Sequence, residues 1–342
     1  MSGQKQTTIY DVAKKAGVSA ATVSRVMNEP SKVAEEKRQL VLTAIKDLNF
    51  IPKADAVINA RKAYKKIGVV APFFTQPSFM ERLRGVASVL AKEHYELVIY
   101  SIDKADDLLN YISTLVTANR IDGLIFLSVH LKSEELKVLK SAKFPVCFVE
   151  EAVEGFDSVI VKNLEGGQKA AEFLYNLGCK VPGFVGEKSM LGYAISATED
   201  RFRGFNFYFA GQGIIIRKEH VWIGEFTEKK LDEGINEYLS QEELPDCVFC
   251  SSDLIATRFI ALAKERGVNV PKDIKVLGFD NIDISQYVGL SSVCQNLDDS
   301  GKMAATLVVG KIKNPDRPVA TLTLPLSVIE RESTGQKQPL KL

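Results

Sequence analysis

Arg25 lies in the short segment AATVSRVMN, and its side chain has the geometry to recognise a DNA base. A guanidinium can donate two hydrogen bonds at once to O6 and N7 of guanine, a contact worth about 1 to 3 kcal/mol of discrimination. Ala20 and Ala21, at the start of the segment, offer only methyl contacts, such as those made with thymine. Together with Thr22 and Ser24, they give this segment the chemistry of a base-reading helix.

Other polar residues near the N-terminus are better suited to phosphate oxygens. They are Thr8, Tyr10, Ser19 and Asn28. Contacts of this kind fix the register of a protein on a duplex without reading its sequence. For Thr8 and Ser19, helix capping is an alternative role, and the two roles can coexist.

Three short helical patterns must position these residues. TIYD, beginning at Thr8, has an acid three positions after a Thr and predicts a capping box that opens a helix. Gly17 is expected to end that helix and Ser19 to cap the next, which predicts a helix-turn-helix rather than a generic three-helix bundle. The third pattern runs over about 35–48. Its apolar stripe consists of Leu40, Val41, Ala44, Ile45 and Leu48.

The charge distribution favours the same interpretation. Residues 1–66 hold 13 Lys and Arg against 6 Asp and Glu, a net charge of +7, whereas the whole chain carries +1. A basic module on an acidic body is the pattern expected when one part binds a polyanion, although a solvated Lys-rich face is the alternative. The sequence shows no apolar run of membrane-spanning length and no apolar signal core, so we predict a cytoplasmic protein without a membrane partner.

From Ile67 onward, short β-branched runs alternate with amphipathic stretches. The predicted strands are IGVVAP, YELVIYS, DGLIFLS, FPVCFVE, DSVIV, VPGFVG, GIII, CVFC and IKVLGFD. The predicted helices between them run over 79–92, 107–119, 165–177, 201–210 and 253–266. We therefore predict an α/β body of two doubly wound parallel-sheet subdomains, with a ligand crevice at the carboxyl ends of the strands.

Catalytic and metal chemistry find little support in the sequence. CVFC has C-x-x-C spacing, but in a strand Cys247 and Cys250 point to opposite faces, and no second Cys or His pair completes a zinc site. The sequence contains no nucleophile-elbow, zinc-protease or phosphate-loop motif. We therefore predict no catalytic residues, no metal and no cofactor.

The segments TIYDVAKKAGVSAATVSRVMN and RQLVLTAIKDLNFIP resemble the headpiece of the lactose-repressor (LacI/GalR) family of bacterial transcription regulators. RFRGF, LGC, SSDLIA, VPKDIKVLGFDNI and ERESTG resemble the family's periplasmic-binding-protein-like core. The resemblance covers the whole chain in order. It implies a homodimeric repressor of carbohydrate-utilisation genes that binds a palindromic double-stranded DNA operator and responds to a small-molecule effector, such as a sugar, bound in the core.

The resemblance also implies which core residues contact the effector. Arg201 matches an effector-contacting arginine, Asp280 a carboxylate that accepts sugar hydroxyls, and Phe226 an aromatic that stacks on the ligand ring. For Asp253, capping of the following helix is the favoured alternative. The full expected set is Phe79, Arg82, Glu150, Arg201, Phe226, Ser252, Asp253 and Asp280. These types suit a neutral or mildly acidic polyol better than a phosphorylated one.

The resemblance further implies a division of the chain. The sections are a headpiece (1–52), a hinge (53–64), an N-subdomain (65–163 and about 293–322) and a C-subdomain (164–292 and about 323–342). In relatives, a hinge Leu wedges a base step open in the minor groove. The aligned residue here is Asn59, so either Ile58 or Val57 supplies the wedge, or Asn59 reads the groove through hydrogen bonds.

Other classes of protein fit parts of the sequence. A freestanding sugar-binding protein would explain the core but needs a signal peptide and leaves the basic N-terminal segment unexplained. A sugar-modifying enzyme needs a base and a nucleophile that the motifs do not supply. Within the family, purine-responsive and phosphoprotein-responsive regulators are alternatives, because the wider family includes them. Lys162 and Glu150 stand where relatives commonly have an acid and an Asp, so we expect the pocket to differ from familiar sugar pockets in size and charge.

Overall fold

The structure, a computed structural model, describes residues 7–28, 32–48, 50, 64–102, 107–188, 192–193, 195 and 197–335. The chain divides into two units, Met1–Lys65 and Lys66–Leu342. Ile58 and Asn59 lie outside the described residues, so the expectations about the hinge stay predictions.

The described residues of the N-terminal unit form three α-helices. They are α1 (Ile9–Ala16), α2 (Ala20–Asn28) and α3 (Glu35–Asp47). The backbone N–H of Thr8 donates to the Asp11 carboxylate at 2.8 Å, and the Asp11 N–H donates to the Thr8 hydroxyl at 3.4 Å, which confirms the capping box. Gly17 ends α1 in the left-handed region, at φ 67°, where a residue without Cβ is favoured. Ser19 then accepts a hydrogen bond from the backbone N–H of Thr22 at 3.1 Å, at the start of α2.

The predicted apolar stripe of α3 is buried only in part. Val41 and Ala44 lie in the core of the unit, and Ile45 and Leu48 pack against it. Leu40 is 52% exposed, so its assignment to the buried stripe is wrong. Each residue turns a helix by about 100°, and α1 and α2 together cover too narrow a sector of α3 to reach Leu40.

Two six-stranded sheets form the second unit. The first contains β1 (Lys66–Val70), β2 (Glu96–Tyr100), β3 (Gly123–Leu127), β4 (Val146–Val149), β5 (Asp157–Ile160) and β11 (Thr321–Thr323). The second contains β6 (Pro182–Lys188), β7 (Val221–Glu225), β8 (Cys247–Cys250), β9 (Lys275–Asp280), β10 (Ser291–Cys294) and β12 (Ser327–Ile329). Their strand orders are β11-β5-β4-β3-β1-β2 and β12-β10-β9-β8-β6-β7.

Helices cover both faces of each sheet, as in doubly wound α/β folds. They are α4 (Pro77–Lys92), α5 (Asp107–Ala118), α6 (Ser133–Leu139), α7 (Asn163–Asn176), α8 (Ala197–Gly211), α9 (Glu228–Tyr238), α10 (Asp253–Glu265), α11 (Asp283–Tyr287) and α12 (Leu297–Lys313). Cys247 and Cys250 belong to apolar clusters on opposite faces of the second sheet, which confirms the interpretation of CVFC. Among the described residues, no helix is both long enough and apolar enough to cross a membrane.

One predicted strand is wrong. The GIII run (213–216) lies in an irregular segment after α8, and the strand at this edge of the sheet is β7. Gly213 has φ 76°, a left-handed conformation that ends the preceding helix instead of starting a strand. Ile216 is buried in the core and Ile214 packs against it, whereas Ile215 is 86% exposed. The first and third isoleucines of the run therefore hold a loop against the core.

Glycines let two pairs of helices touch through their backbones. A Cβ on Gly85 of α4 would lie 2.0 Å from the Asp298 carbonyl oxygen of α12, and one on Gly301 would lie 2.0 Å from the Arg82 carbonyl oxygen. The other subdomain repeats this arrangement between α7 and α8. There, a Cβ on Gly167 would lie 1.9 Å from the Arg201 carbonyl oxygen, and one on Gly204 would lie 1.9 Å from that of Leu164. A side chain at any of these positions would push the helices apart.

Gly204→Ala tests this contact. We expect the free energy of unfolding to fall by about 1 to 3 kcal/mol or more, because the added methyl meets rigid backbone. Urea unfolding followed by circular dichroism measures the change. Gly211→Ala, in the last turn of the same helix and with no atom within 4 Å of the new Cβ, is the control, and we expect it to be neutral or to stabilise by up to about 1 kcal/mol. Equal effects of the two substitutions would contradict close packing at Gly204.

Candidate functional sites

The first site is the exposed face of α2. Val23 and Val26 anchor the helix in the core of the N-terminal unit. Ala21 and Arg25, four residues apart and therefore on one face, are exposed. The remaining predicted base-contacting residues, Ala20, Thr22 and Ser24, are partly buried. Ala20 packs against the core, so Arg25 is the polar side chain of this face with the longest reach.

The residues expected to contact phosphates lie at the start of α1 and at the two ends of α2. Tyr10 is 74% exposed, and Thr8 and Ser19 are also exposed. The hydroxyls of Thr8 and Ser19 contact Asp11 at 2.6 Å and Thr22 at 2.9 Å, so both take part in the caps. Asn28 is the last residue of α2, and its side chain lies outside the described part of the chain.

The second site is a cavity of about 270 Å³ between the two sheets of the core. Its walls contain seven of the eight residues expected to bind an effector. They are Phe79, Arg82, Glu150, Arg201, Phe226, Ser252 and Asp280. Several of them stand at the carboxyl ends of parallel strands, where a doubly wound fold places its ligand. Phe73, Phe79 and Phe226 add aromatic surface to this polar lining.

Two buried arginines dominate the cavity. Arg82 of α4 donates to Glu150 at 2.5 Å, to Ser128 at 3.3 Å and to Gln295 at 3.0 Å. Burial alone would raise the pKa of Glu150, but the Arg82 charge and the Ser128 hydroxyl together hold it below its ordinary value. Ser128 and Gln295 were not among the residues predicted from sequence.

Arg201 of α8 is the counterpart of Arg82. It donates to the side-chain oxygen of Asn163 at 2.9 Å and to the carbonyl of Ser251 at 2.5 Å. Its guanidinium carbon lies 3.7 Å from the centre of the Phe279 ring, and its Nη1 lies 3.9 Å from Asp280. Burial raises the pKa of Asp280 to about 6, although the Arg201 charge partly opposes the shift.

One hydrogen-bonded chain joins the two halves of the cavity. Gln295, directly after β10, accepts from Arg82 through its oxygen and donates to Asp280 through its nitrogen. Glu150 and Asp280 also have positive φ, 78° and 117°, although neither is glycine. Strained backbone of this kind is common where side chains must be aimed at a ligand. The chain therefore links Glu150, in the first subdomain, to Asp280, in the second, which forms an ion pair with Arg201 at 3.9 Å.

Asp253 is the predicted effector residue that does not line the cavity. It is fully buried and accepts hydrogen bonds from Ser285 at 2.6 Å, Ser292 at 2.5 Å and the Ile282 backbone at 3.0 Å. Its expected capping role is also wrong, because Ser252 is the N-cap of α10 and accepts from the Ile255 N–H at 3.4 Å. Burial, followed by the charge of Asp280, raises the pKa of Asp253 to about 7.

Glu187, at the end of β6, is a further cavity residue that sequence reasoning missed. Burial raises its pKa to about 7, with Arg201 opposing and Asp280 and Glu199 adding to the shift. A repeated motif could have predicted the pairing of the two arginines. ERLRG (81–85) and DRFRG (200–204) place an arginine three residues before a contact glycine in both subdomains.

A cluster of possible metal ligands lies outside the cavity lining. The ligand atoms of Cys179, Asp246 and Cys247 lie within 4.8 Å of one another. The Asp246 oxygens already accept the backbone N–H groups of Lys180 and Val181, at 2.7 and 3.1 Å. The cluster is therefore better explained as a junction between α7 and β8 than as a metal centre.

Comparisons with known proteins identify the two parts of the chain. Residues 8–53 match the family model described as bacterial regulatory proteins, lacI family, and residues 171–334 match a periplasmic binding protein-like domain. The HTH-type transcriptional regulator RegA of Clostridium saccharobutylicum is 30% identical over 332 residues, which cover 96% of this chain and 99% of RegA.

Two solved structures share the fold. The lac repressor dimer bound to operator and the anti-inducer ONPF has a TM-score of 0.80 at 22% identity, covering 96% of this chain and 99% of that one. The complex of the transcriptional regulator CelR with cellobiose has a TM-score of 0.68 at 23% identity, covering 96% and 100%. The match to RegA extends over nearly the full length of both proteins. The chain therefore belongs to the lacI family of bacterial regulatory proteins and is a DNA-binding regulator of transcription.

Proposed function

We propose that the core binds a small sugar in the cavity between its sheets, and that this binding controls how tightly the headpieces of a homodimer hold a palindromic operator. The observation that carries the proposal is the hydrogen-bonded chain Glu150–Arg82–Gln295–Asp280, which crosses the cavity between subdomains. A ligand that joins this chain interacts with both subdomains at once. It can therefore shift the equilibrium between two arrangements of the core that it binds unequally.

The chemistry of the lining favours a polyol. Carboxylates, an amide and hydroxyls accept and donate hydrogen bonds, as sugar hydroxyls require, and Phe79 and Phe226 offer aromatic faces for sugar C–H groups. The structural neighbour CelR holds cellobiose. A purine is the second candidate, because the same aromatic residues would also accept a flat base.

A homodimer supplies the second headpiece. One helix reads few base pairs, so useful specificity needs two half-sites. Exposed apolar residues lie on α4 and α11, which are joined by the hydrogen bond from the Asp283 N–H to Glu81 at 2.8 Å. They are Met80, Ile284, Tyr287 and Val288, of which Tyr287 is the most exposed at 81%. We propose this surface as part of the dimer interface.

The remaining assignments are part of the same proposal. We assign the core to binding and not to catalysis, and we place the protein in the cytoplasm, where a regulator meets chromosomal DNA. We retain the boundaries expected from the sequence, with a hinge at 53–64 and a core whose subdomains exchange chain near residues 163, 293 and 323.

Arg25→Ala tests the base-reading role. We expect loss of about 1 to 3 kcal/mol of discrimination at one base pair of each half-site, because the bidentate guanine contact disappears. Selection of binding sites from random duplexes, followed by affinity measurements on point-mutated sites, gives this value. Arg25→Lys is the matched control: it keeps the charge and the salt dependence of binding but loses the paired donors. An unchanged site preference in both variants would contradict the assignment.

A panel of sugars and purines tests effector binding in the cavity. A ligand at about 100 times its Kd should add roughly 2.7 kcal/mol of stability, measurable as a higher Tm, and should change operator affinity. Phe226→Ala should weaken binding about tenfold, since a stacked aromatic contributes about 0.5 to 1.5 kcal/mol. Phe207→Ala, which removes an aromatic ring that is 69% exposed on α8, should have no effect. If no sugar or purine altered Tm or operator affinity, the small-molecule proposal would fail.

Tyr287→Glu tests the interface. A charge at the centre of an apolar contact would be desolvated on association, so we expect predominantly monomeric protein by light scattering and weaker operator binding. Val319→Glu, which also places a charge on an exposed apolar position, is the control and should remain dimeric. A dimeric Tyr287→Glu variant would place the interface elsewhere.

A further inference from the structure

The cavity has more acidic than basic side chains. Among the described residues, three cations line it, Arg82, Lys188 and Arg201. The carboxylates that line it are Glu150, Glu187, Glu199, Glu225 and Asp280. An unliganded site of this composition attracts positive charge and repels anions.

Both arginines are already committed to protein acceptors. Arg82 is held through its two Nη atoms by Glu150, Ser128 and Gln295, and its Nε is buried with no hydrogen-bond partner among the described residues. The Arg201 guanidinium is held by Asn163 and Ser251 and lies against Phe279. A phosphate or carboxylate on a ligand would have to displace these contacts, because the two deepest cations are not presented as open anion-binding forks.

Glu187 is in the opposite situation. Among the described residues, no side chain or backbone group donates a hydrogen bond to its carboxylate, and Arg201, the cation that acts on it most strongly, also faces Asp280. Several charged groups on both subdomains share the cavity with Glu187. They are Arg201 and Glu199 from α8, Asp280 from β9, Lys188 and Glu225 from the ends of β6 and β7, and Arg82 and Glu150 from the first subdomain. Glu187 is therefore a carboxylate that the protein leaves without a cation of its own.

We propose that the ligand of this cavity is a polyol bearing a protonated amine, such as an amino sugar, with its ammonium group on Glu187. The inference rests on the proposed effector-binding function and names the chemical class of the effector. The ammonium supplies the donors that Glu187 lacks, while the hydroxyls of the ligand meet Asp280 and the aromatic faces. The expectation of a neutral or mildly acidic polyol is thereby replaced by a cationic one.

The proposal predicts proton release on binding. Because burial and the nearby Asp280 and Glu199 raise the pKa of Glu187 to about 7, part of the unliganded protein carries a proton there at neutral pH. An ammonium favours the ionised carboxylate and lowers this pKa, so the proton leaves. Affinity for the amine therefore falls as the pH drops from about 7 towards 5, whereas affinity for a neutral sugar should change much less.

Matched pairs of sugars test the proposal on the full-length protein. Isothermal titration with glucosamine, galactosamine and mannosamine, each against glucose, galactose and mannose, measures the preference for an amine. We expect at least one amino sugar to bind about tenfold more tightly than its neutral counterpart, since charge-assisted hydrogen bonds are roughly twice as strong as neutral ones. Titration in buffers of different ionisation enthalpy should detect the released proton.

In Glu187→Gln, an amino sugar and its neutral counterpart should bind with about equal affinity, and no proton should be released. The substitution keeps the shape of the side chain but removes its charge. Glu242→Gln, which removes an exposed carboxylate from the same subdomain, should keep both. A preference that survived in Glu187→Gln would overturn the proposal. So would heat of binding from calcium chloride alone, because the cation would then be a metal ion.

The outcomes separate this inference from the proposed function. If neutral sugars bound and no amino sugar bound more tightly than its counterpart, the inference would fail and sugar binding would stand. If no sugar of either kind bound, both would fail.

Discussion

Backbone contact between glycine-bearing helices fixes the position of both buried arginines. Arg82 precedes Gly85 by one turn of α4, and its own carbonyl oxygen faces Gly301 of α12. Arg201 has the same relation to Gly204 and Gly167 in the other subdomain. Because each contact involves main chain on both sides, it leaves the helix little freedom to slide. Each guanidinium is therefore held at the strand ends by the packing of its helix as well as by its hydrogen bonds.

This constraint explains how buried charges can be tolerated in the cavity. Moving a carboxylate or guanidinium out of water costs several kcal/mol unless the partners have good geometry. The Nη atoms of Arg82 meet this condition through Glu150, Ser128 and Gln295, and Arg201 meets it through Asn163 and the Ser251 carbonyl. Asp253 and its serine donors tie α10 to the strands behind the wall. The result is a preorganised site. Glu187 differs from the other buried charges because it has no cation of its own among the described residues.

The sequence predicted the local features of the fold well. Examples are the capping box at Thr8, the glycine stop at Gly17 and the strand runs of the core. Each depends on residues that are close together in the chain, so a short segment of sequence is enough to predict it. The GIII run shows the limit of the same method: β-branched residues favour a strand, but the conformation of Gly213 and the packing of alternate isoleucines produce a loop. Leu40 was placed in the core because periodicity cannot say how much of a helix its neighbours cover.

The cavity was predictable only where a family resemblance supplied positions. Ser128 and Gln295 follow strands, and Glu187 lies at the end of one. These strands come together through tertiary structure, and nothing local distinguishes the three residues from other polar residues at strand ends. For Asp253, the local prediction of a helix cap was wrong, because the neighbouring Ser252 is the N-cap. The Asp253 carboxylate instead accepts hydrogen bonds from Ser285 and Ser292, which are 32 and 39 residues away in the chain.

The order of the helices and strands along the chain determines which apolar surfaces are exposed during synthesis. One face of the first sheet is closed by Ala304, Ala305, Val308 and Val309 of α12, although its strands begin at Lys66. Five of the six strands of the second sheet, by contrast, are complete by Cys294, and its edge strand β12 follows at Ser327–Ile329. While the ribosome is still making α12, the nascent first subdomain exposes the part of this apolar face that α12 covers beside α4. The subdomain that is begun first is therefore completed late, and this interval is when the chain most needs protection from aggregation.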